Sequence, residues 1–142
     1  ALSDLKKKNF YDHLINKLRK KDLSFDFEFS SIPVEDGYIA PHTDGRDKIL
    51  AIVIPIIDDK SILNIENLGT KILKANKDEY KFNYENRIVP IKHTDEIRIL
   101  PFKKNMMSMH VKTFNSLHGV GPFKNENLSI MRKSITLFLR QG

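Results

Sequence analysis

Ser129 to Arg140 is the clearest strand in the chain, and its two faces differ. Met131, Ile135, Leu137 and Leu139 make an apolar side, interrupted by Lys133. Ile130, Arg132, Ser134 and Thr136 make a mostly polar side, with Phe138 beyond. Side chains of a strand alternate between faces, so this run must satisfy two environments at once. In a small barrel the polar face lines an inner pocket while the apolar face packs beneath a helix. The obvious cover is an amphipathic helix expected over Asp4–Lys20, with Phe10, Tyr11, Leu14, Ile15 and Leu18 on one face and Ser3 as N-cap.

The rest of the chain reads in short pieces of period two. Phe25, Phe27 and Phe29 alternate with Asp26 and Glu28, a half-buried strand. Tyr38–His42 is a short strand between the Asp36-Gly37 turn and the breaker Gly45. Ile49–Ile57 is continuously apolar, as expected of a strand buried on both faces, with Pro55 near its end or at a sheet edge. Weaker strand signals lie at Ile62–Ile65, Lys71–Lys74, Tyr80–Tyr84, Ile88–Ile91 and Ile97–Leu100, then Met106–Phe114 and Leu117–Val120. One helix followed by many short strands predicts a mainly β chain, a double-sheet jelly roll. The length suits one domain over 1–142, with 1–22 as a supporting helix and 25–140 as the jelly-roll core.

Composition removes several classes of function. The absence of cysteine excludes a disulfide framework, a Cys-ligated zinc site and a thiol nucleophile, and it fits a cytoplasmic setting. No long apolar run follows Lys6-Lys7-Lys8, so neither a signal peptide nor a membrane span is expected. The net charge of +6 suits an anionic small molecule or nucleic acid. The lysines are scattered, however, and there is no tryptophan and no aromatic platform of the kind that stacks bases. A solvated lysine-rich surface is the plainer reading, and nucleic acid is the less favoured partner.

His42 and Asp44 stand two apart, so on an extended backbone their side chains leave the same face, with Thr43 pointing away. Alone, the triplet reads as a loop histidine beside a turn aspartate. His118, far downstream in Asn115-Ser116-Leu117-His118-Gly119-Val120, changes that reading. Two imidazoles and one carboxylate suit a borderline metal such as Fe(II), with coordination positions left open. His13 falls in the helix, His93 in a polar stretch near a turn, and His110 between Met109 and Val111, which points it away from the core. Arg132 and Ser134 share a strand face, so a guanidinium and a hydroxyl can grip one carboxylate. Lys133 points to the opposite face, and Arg98 and Arg140 lack a serine at that spacing.

His42-Thr43-Asp44, then His118, then Arg132-Lys133-Ser134 in a short-stranded β sequence resembles the Fe(II)/2-oxoglutarate-dependent oxygenases. Tyr38-Ile39-Ala40-Pro41-His42-Thr43-Asp44 looks like the smaller, prolyl-4-hydroxylase-like members. The resemblance runs from about Phe25 to Arg140 and implies a cupin-like double-stranded β-helix. It implies His42, Asp44 and His118 as iron ligands, Arg132 and Ser134 on the distal carboxylate of 2-oxoglutarate, and Tyr38 in the same pocket. It further implies O2 as co-substrate, ascorbate as an admissible accessory, and hydroxylation of an unactivated C–H bond with release of succinate and CO2. The gap from His118 to Arg132 is longer than the common pattern, and many prolyl-hydroxylase-like members carry lysine where Arg132 stands. The substrate, small molecule or peptidyl, is not legible, nor is the oligomeric state. Two other classes fit less of the sequence. One is a cupin-like enzyme using zinc or manganese without 2-oxoglutarate, which leaves Arg132 and Ser134 without a task. The other is a non-catalytic basic β-barrel binding module.

Overall fold

Period-two segments with one polar and one apolar side bury a face only by pairing into sheets. In the computed structural model they do so over residues 22–58, 60–123 and 129–141, the described part of the chain together with the isolated positions Asp12, Asn16 and Arg19. The strands are β1 (Leu23–Pro33), β2 (Ile39–His42), β3 (Lys48–Ile56), β4 (Thr70–Ala75), β5 (Thr94–Ile99), β6 (Ser108–Val111), β7 (His118–Val120) and β8 (Met131–Gln141). They form two antiparallel four-stranded sheets, ordered β1-β8-β3-β6 and β2-β7-β4-β5. The mainly β expectation holds. The helix expected over Asp4–Lys20 lies outside the described residues, apart from those isolated positions. Among the described residues no helix is long and apolar enough to cross a membrane.

Three expected strands are absent. Around Ile62–Ile65, Tyr80–Tyr84 and Ile88–Ile91 the chain makes 3-10 turns instead, at Lys60–Asn64, Asp78–Tyr80 and Ile91–His93. A short apolar run records burial and not conformation. Ile62 is buried by packing with Val34, Leu68, Phe102, Val120, Phe123 and Ile130, which needs no ladder partner. A second cluster, Leu73, Ala75, Val89 and Leu117, lies along β4 and the approach to β7.

β8 is central in its sheet, bonded to β1 on one side and β3 on the other. Its register aligns Ser134 with Ser30 and Pro55, Thr136 with Glu28 and Val53, and Phe138 with Asp26 and Ala51. Glu28, Ser30, Val53 and, from β8, Arg132, Ser134, Thr136 and Phe138 line a cavity between the sheets. The opposite face carries the rows Phe27–Leu137–Ile52–Met109 and Phe29–Ile135–Ile54. The polarity of β1 is therefore the reverse of the simple expectation. Glu28 and Ser30 face the cavity, and Phe25, Phe27 and Phe29 are 66%, 65% and 72% exposed. Pro55 lies beyond the stretch of β3 that pairs with β6, so its missing N–H costs no β3–β6 bond.

Candidate metal centre

His42 ends β2 and His118 begins β7, and the β2–β7 register sets the two directly opposite each other. Their rings lie 4.5 Å apart, centroid to centroid. Gly119 permits this close pairing, because a Cβ there would lie 2.9 Å from the Ile39 carbonyl oxygen. Asp44 joins them by a route other than strand alternation. β2 stops at His42, and Asp44 has φ of 71°, in the left-handed region that aspartate tolerates better than most residues. Thr43 points away from the site, as its place in the triplet predicts. It is wholly buried, donates to the Asn83 carbonyl oxygen and accepts from Lys112 Nζ at 2.9 Å. These bonds hold the turn that aims Asp44 inward.

The three side chains converge. Asp44 Oδ1 lies 3.6 Å from His42 Nε2, Oδ2 lies 3.5 Å from His118 Nε2, and the three candidate ligand atoms all fall within 4.8 Å of one another. Donor atoms each about 2.1 Å from one ion stand about 3.0–3.4 Å apart at right-angle to tetrahedral geometry, close to these spacings. The tautomers agree. His42 Nδ1 lies 2.8 Å from the Ala40 carbonyl oxygen and His118 Nδ1 2.9 Å from that of Ser116. A carbonyl only accepts, so Nδ1 carries the proton in each ring and the Nε2 lone pair faces the site.

Electrostatics fit the same picture. Burial, with His110 and His42 nearby, pushes His118 down to about 3, so its imidazole is neutral, the form that binds metals. Burial by itself would raise the Asp44 carboxyl. A hydrogen bond from His110, the closeness of His42 and His118, and a bond from Lys48 outweigh it and hold the group well below the carboxylate range. Asp44 is thus an ionised, buried carboxylate between imidazoles.

Arg132 and Ser134 line the same ≈ 140 Å³ cavity as the triad. Arg132 is 2% exposed. Its Nε donates to the Leu68 carbonyl oxygen at 2.6 Å, its NH1 to Ser134 Oγ at 3.4 Å, and its guanidinium lies over the Phe102 ring. Among the described residues no carboxylate pairs with it, and burial alone lowers it to about 10. Gly69 helps to set this floor, because a Cβ there would collide with the Leu100 carbonyl oxygen. Lys133 points outward to Asp58, as alternation predicts.

Tyr38 is placed otherwise than expected. It is 55% exposed and is not part of the cavity wall, to which its neighbour Ile39 contributes. His110 corrects the sequence reading in the other direction. It faces inward, with Nε2 3.2 Å from Asp44 Oδ2 and its ring 4.1 Å from that of His118. Its signal was present in the chain. Ser108, His110 and Lys112 make a polar row opposite Met109 and Val111, the same two-sided pattern that marks β8. Lys48, 2.8 Å from Asp44 Oδ1, is a second unexpected contributor.

No family model, curated protein or solved structure matches the chain. The chemistry of the site therefore rests on its own geometry.

Proposed function

We propose that this protein is an Fe(II)- and 2-oxoglutarate-dependent oxygenase on a double-stranded β-helix, hydroxylating an unactivated C–H bond with release of succinate and CO2. The observation that carries this reading is the pairing, within one cavity, of a His42–Asp44–His118 donor set and a buried Arg132 with no carboxylate partner among the described residues. Two imidazoles and one ionised carboxylate suit Fe(II) and leave positions for other ligands. A guanidinium in a dry pocket is costly without an anion. The distal carboxylate of 2-oxoglutarate supplies one, with the Ser134 hydroxyl free to turn its proton toward it. The cavity is small beside the about 300–1,000 Å³ of sites for drug-sized ligands, which favours a compact dicarboxylate. The strand order, in which the chain passes repeatedly between two interleaved sheets, supports the jelly-roll reading.

When bound, the iron and its 2-oxoacid would supply oxygen activation and the oxidising power for C–H cleavage. The chain's own part is to hold and to shield. His42 and His118 present Nε2 lone pairs, with their Nδ1 protons fixed on carbonyl oxygens. Arg132 anchors the far end of the co-substrate, oriented by Leu68 and Phe102. Ala51, Val53, Val120 and Phe138 give the cavity an apolar wall that keeps water from the reacting centre.

One observation favours a second reading, a cupin-like enzyme using another metal without 2-oxoglutarate: the third imidazole, His110, beside Asp44. That reading leaves Arg132 and Ser134 without an anion to bind. Adding Fe(II) and 2-oxoglutarate to the protein without oxygen separates the two. The oxygenase gives a weak metal-to-ligand charge-transfer band that requires both additions, is lost in His118→Ala and is much weakened in Arg132→Ala. Iron binding without the band would move the assignment to the other-metal enzyme. Absence of iron binding would sink the metal centre itself.

A further inference from the structure

His110 sits deepest in the part of the site that the sequence pattern did not assign. It lies on β6, paired with Ala51 of β3, and the small Ala51 side chain leaves room for the imidazole on the cavity side. Its Nε2 is 3.2 Å from Asp44 Oδ2. An ionised carboxylate only accepts, so His110 Nε2 carries the proton. This is the reverse of the tautomer in His42 and His118, whose Nδ1 atoms are the donors. The candidate ligand atoms of His42, Asp44 and His118 form a mutually close set that does not include His110. Two histidines thus offer lone pairs to the site, and the third offers a proton.

Two donors grip the carboxylate: Lys48 Nζ on Oδ1 and His110 Nε2 on Oδ2. They differ in what a cation does to them. A dication at the triad repels the Lys48 ammonium, which already lies 3.7 Å from the centre of the Phe138 ring and can remain over it. The His110 imidazole, held on β6 opposite Ala51, can keep its bond to the other oxygen. The residue just after β6 reaches the preceding position, because Lys112 donates to Thr43 Oγ1. One short segment therefore holds both Thr43 and Asp44, across a turn whose left-handed φ at Asp44 needs outside support.

We propose that His110 is a positioning residue of the metal centre, whose Nε2–H fixes the plane of the Asp44 carboxylate so that its remaining lone pairs face the ion held by His42 and His118. This role rests on the metal-centre reading above. Bonds to a metal-binding carboxylate are typically worth about 10- to 100-fold in metal affinity.

The test is calorimetric titration with Co2+ alone, together with the Co(II) absorption spectrum, on the wild type, His110→Gln, His110→Leu and His118→Ala. Thermal unfolding of each metal-free protein checks the fold. His118→Ala should lose binding. His110→Leu should bind about 10- to 100-fold more weakly. His110→Gln, which keeps a side-chain N–H donor, should recover to within about threefold of wild type with an unchanged spectrum. Wild-type affinity in His110→Leu overturns the positioning role and leaves the metal centre intact. A shifted spectrum and weak binding in His110→Gln also overturn it, since His110 would then be a fourth ligand. Should His110→Leu not fold, the affinity and spectrum of His110→Gln decide between these outcomes. A wild type that binds no Co2+ overturns the role and the metal centre together.

Discussion

Two arginines eight residues apart on β8 show how differently one side chain behaves at the two ends of a strand. Arg140 lies at the surface, donating from Nε to Asp26 and from NH1 to Asp47. Arg132 lies between the sheets with a carbonyl, a hydroxyl and an aromatic ring for company, and no carboxylate among the described residues. The exposed guanidinium has the anions, and the buried one has none among the described residues. Exposed ion pairs contribute little, because water screens them. A buried cation with no counter-charge opposes folding unless something else requires it. The paired arginine therefore tells of the surface, and the buried one is the group that the proposed 2-oxoglutarate site would use.

The sharpest way to break this contrast is Arg132→Met, which keeps an unbranched apolar stem and removes charge. It should reduce 2-oxoglutarate affinity by about 100-fold or more, measured calorimetrically with a divalent metal present. The unfolding midpoint of the ligand-free protein should not fall, since replacing an uncompensated buried charge by an apolar chain is neutral or favourable. Excess 2-oxoglutarate should raise the midpoint of the wild type and leave that of Arg132→Met unmoved. A midpoint that drops sharply in Arg132→Met would instead make Arg132 a structural residue.

Ser134→Ala asks less of the site. It removes one hydroxyl from the carboxylate pocket and should weaken 2-oxoglutarate by about 1 kcal/mol, roughly fivefold, in the same titration. No change would leave Arg132 as the sole anchor.

Arg140→Gln should have the smallest effect, lowering stability by no more than about 1 kcal/mol in a denaturant titration and leaving 2-oxoglutarate affinity unchanged. Its pH dependence has a definite sign. The hydrogen bond from Arg140 is the main reason that the Asp47 carboxyl lies below its ordinary 3.8. A carboxyl depressed in the folded state contributes stability above its unfolded pKa, and loses it as pH falls through the folded one. The gap between wild type and Arg140→Gln should thus be full at neutral pH and close on acidification below 3.8. A gap that widens in acid would contradict the pairing.

The chain alone determined which residues of one strand share a face. Arg132 with Ser134, Lys133 opposite, and the grouping of the polar residues of β8 on one side all follow from alternation, which is a local property of the extended backbone. The ordered set His42, Asp44 and His118 was legible as donor chemistry for the same reason: residue type and spacing are written in the chain. Alternation does not say which face of a strand turns inward, since that depends on the register with its neighbours. Flanking Met109 and Val111 predict an outward His110, yet pairing with Ala51 turns it onto Asp44. The resemblance places Tyr38 in the pocket, yet it stands exposed. Asp44 reaches the site through a left-handed turn braced by Thr43, Asn83 and Lys112, residues far apart in sequence that only the packed sheets bring together.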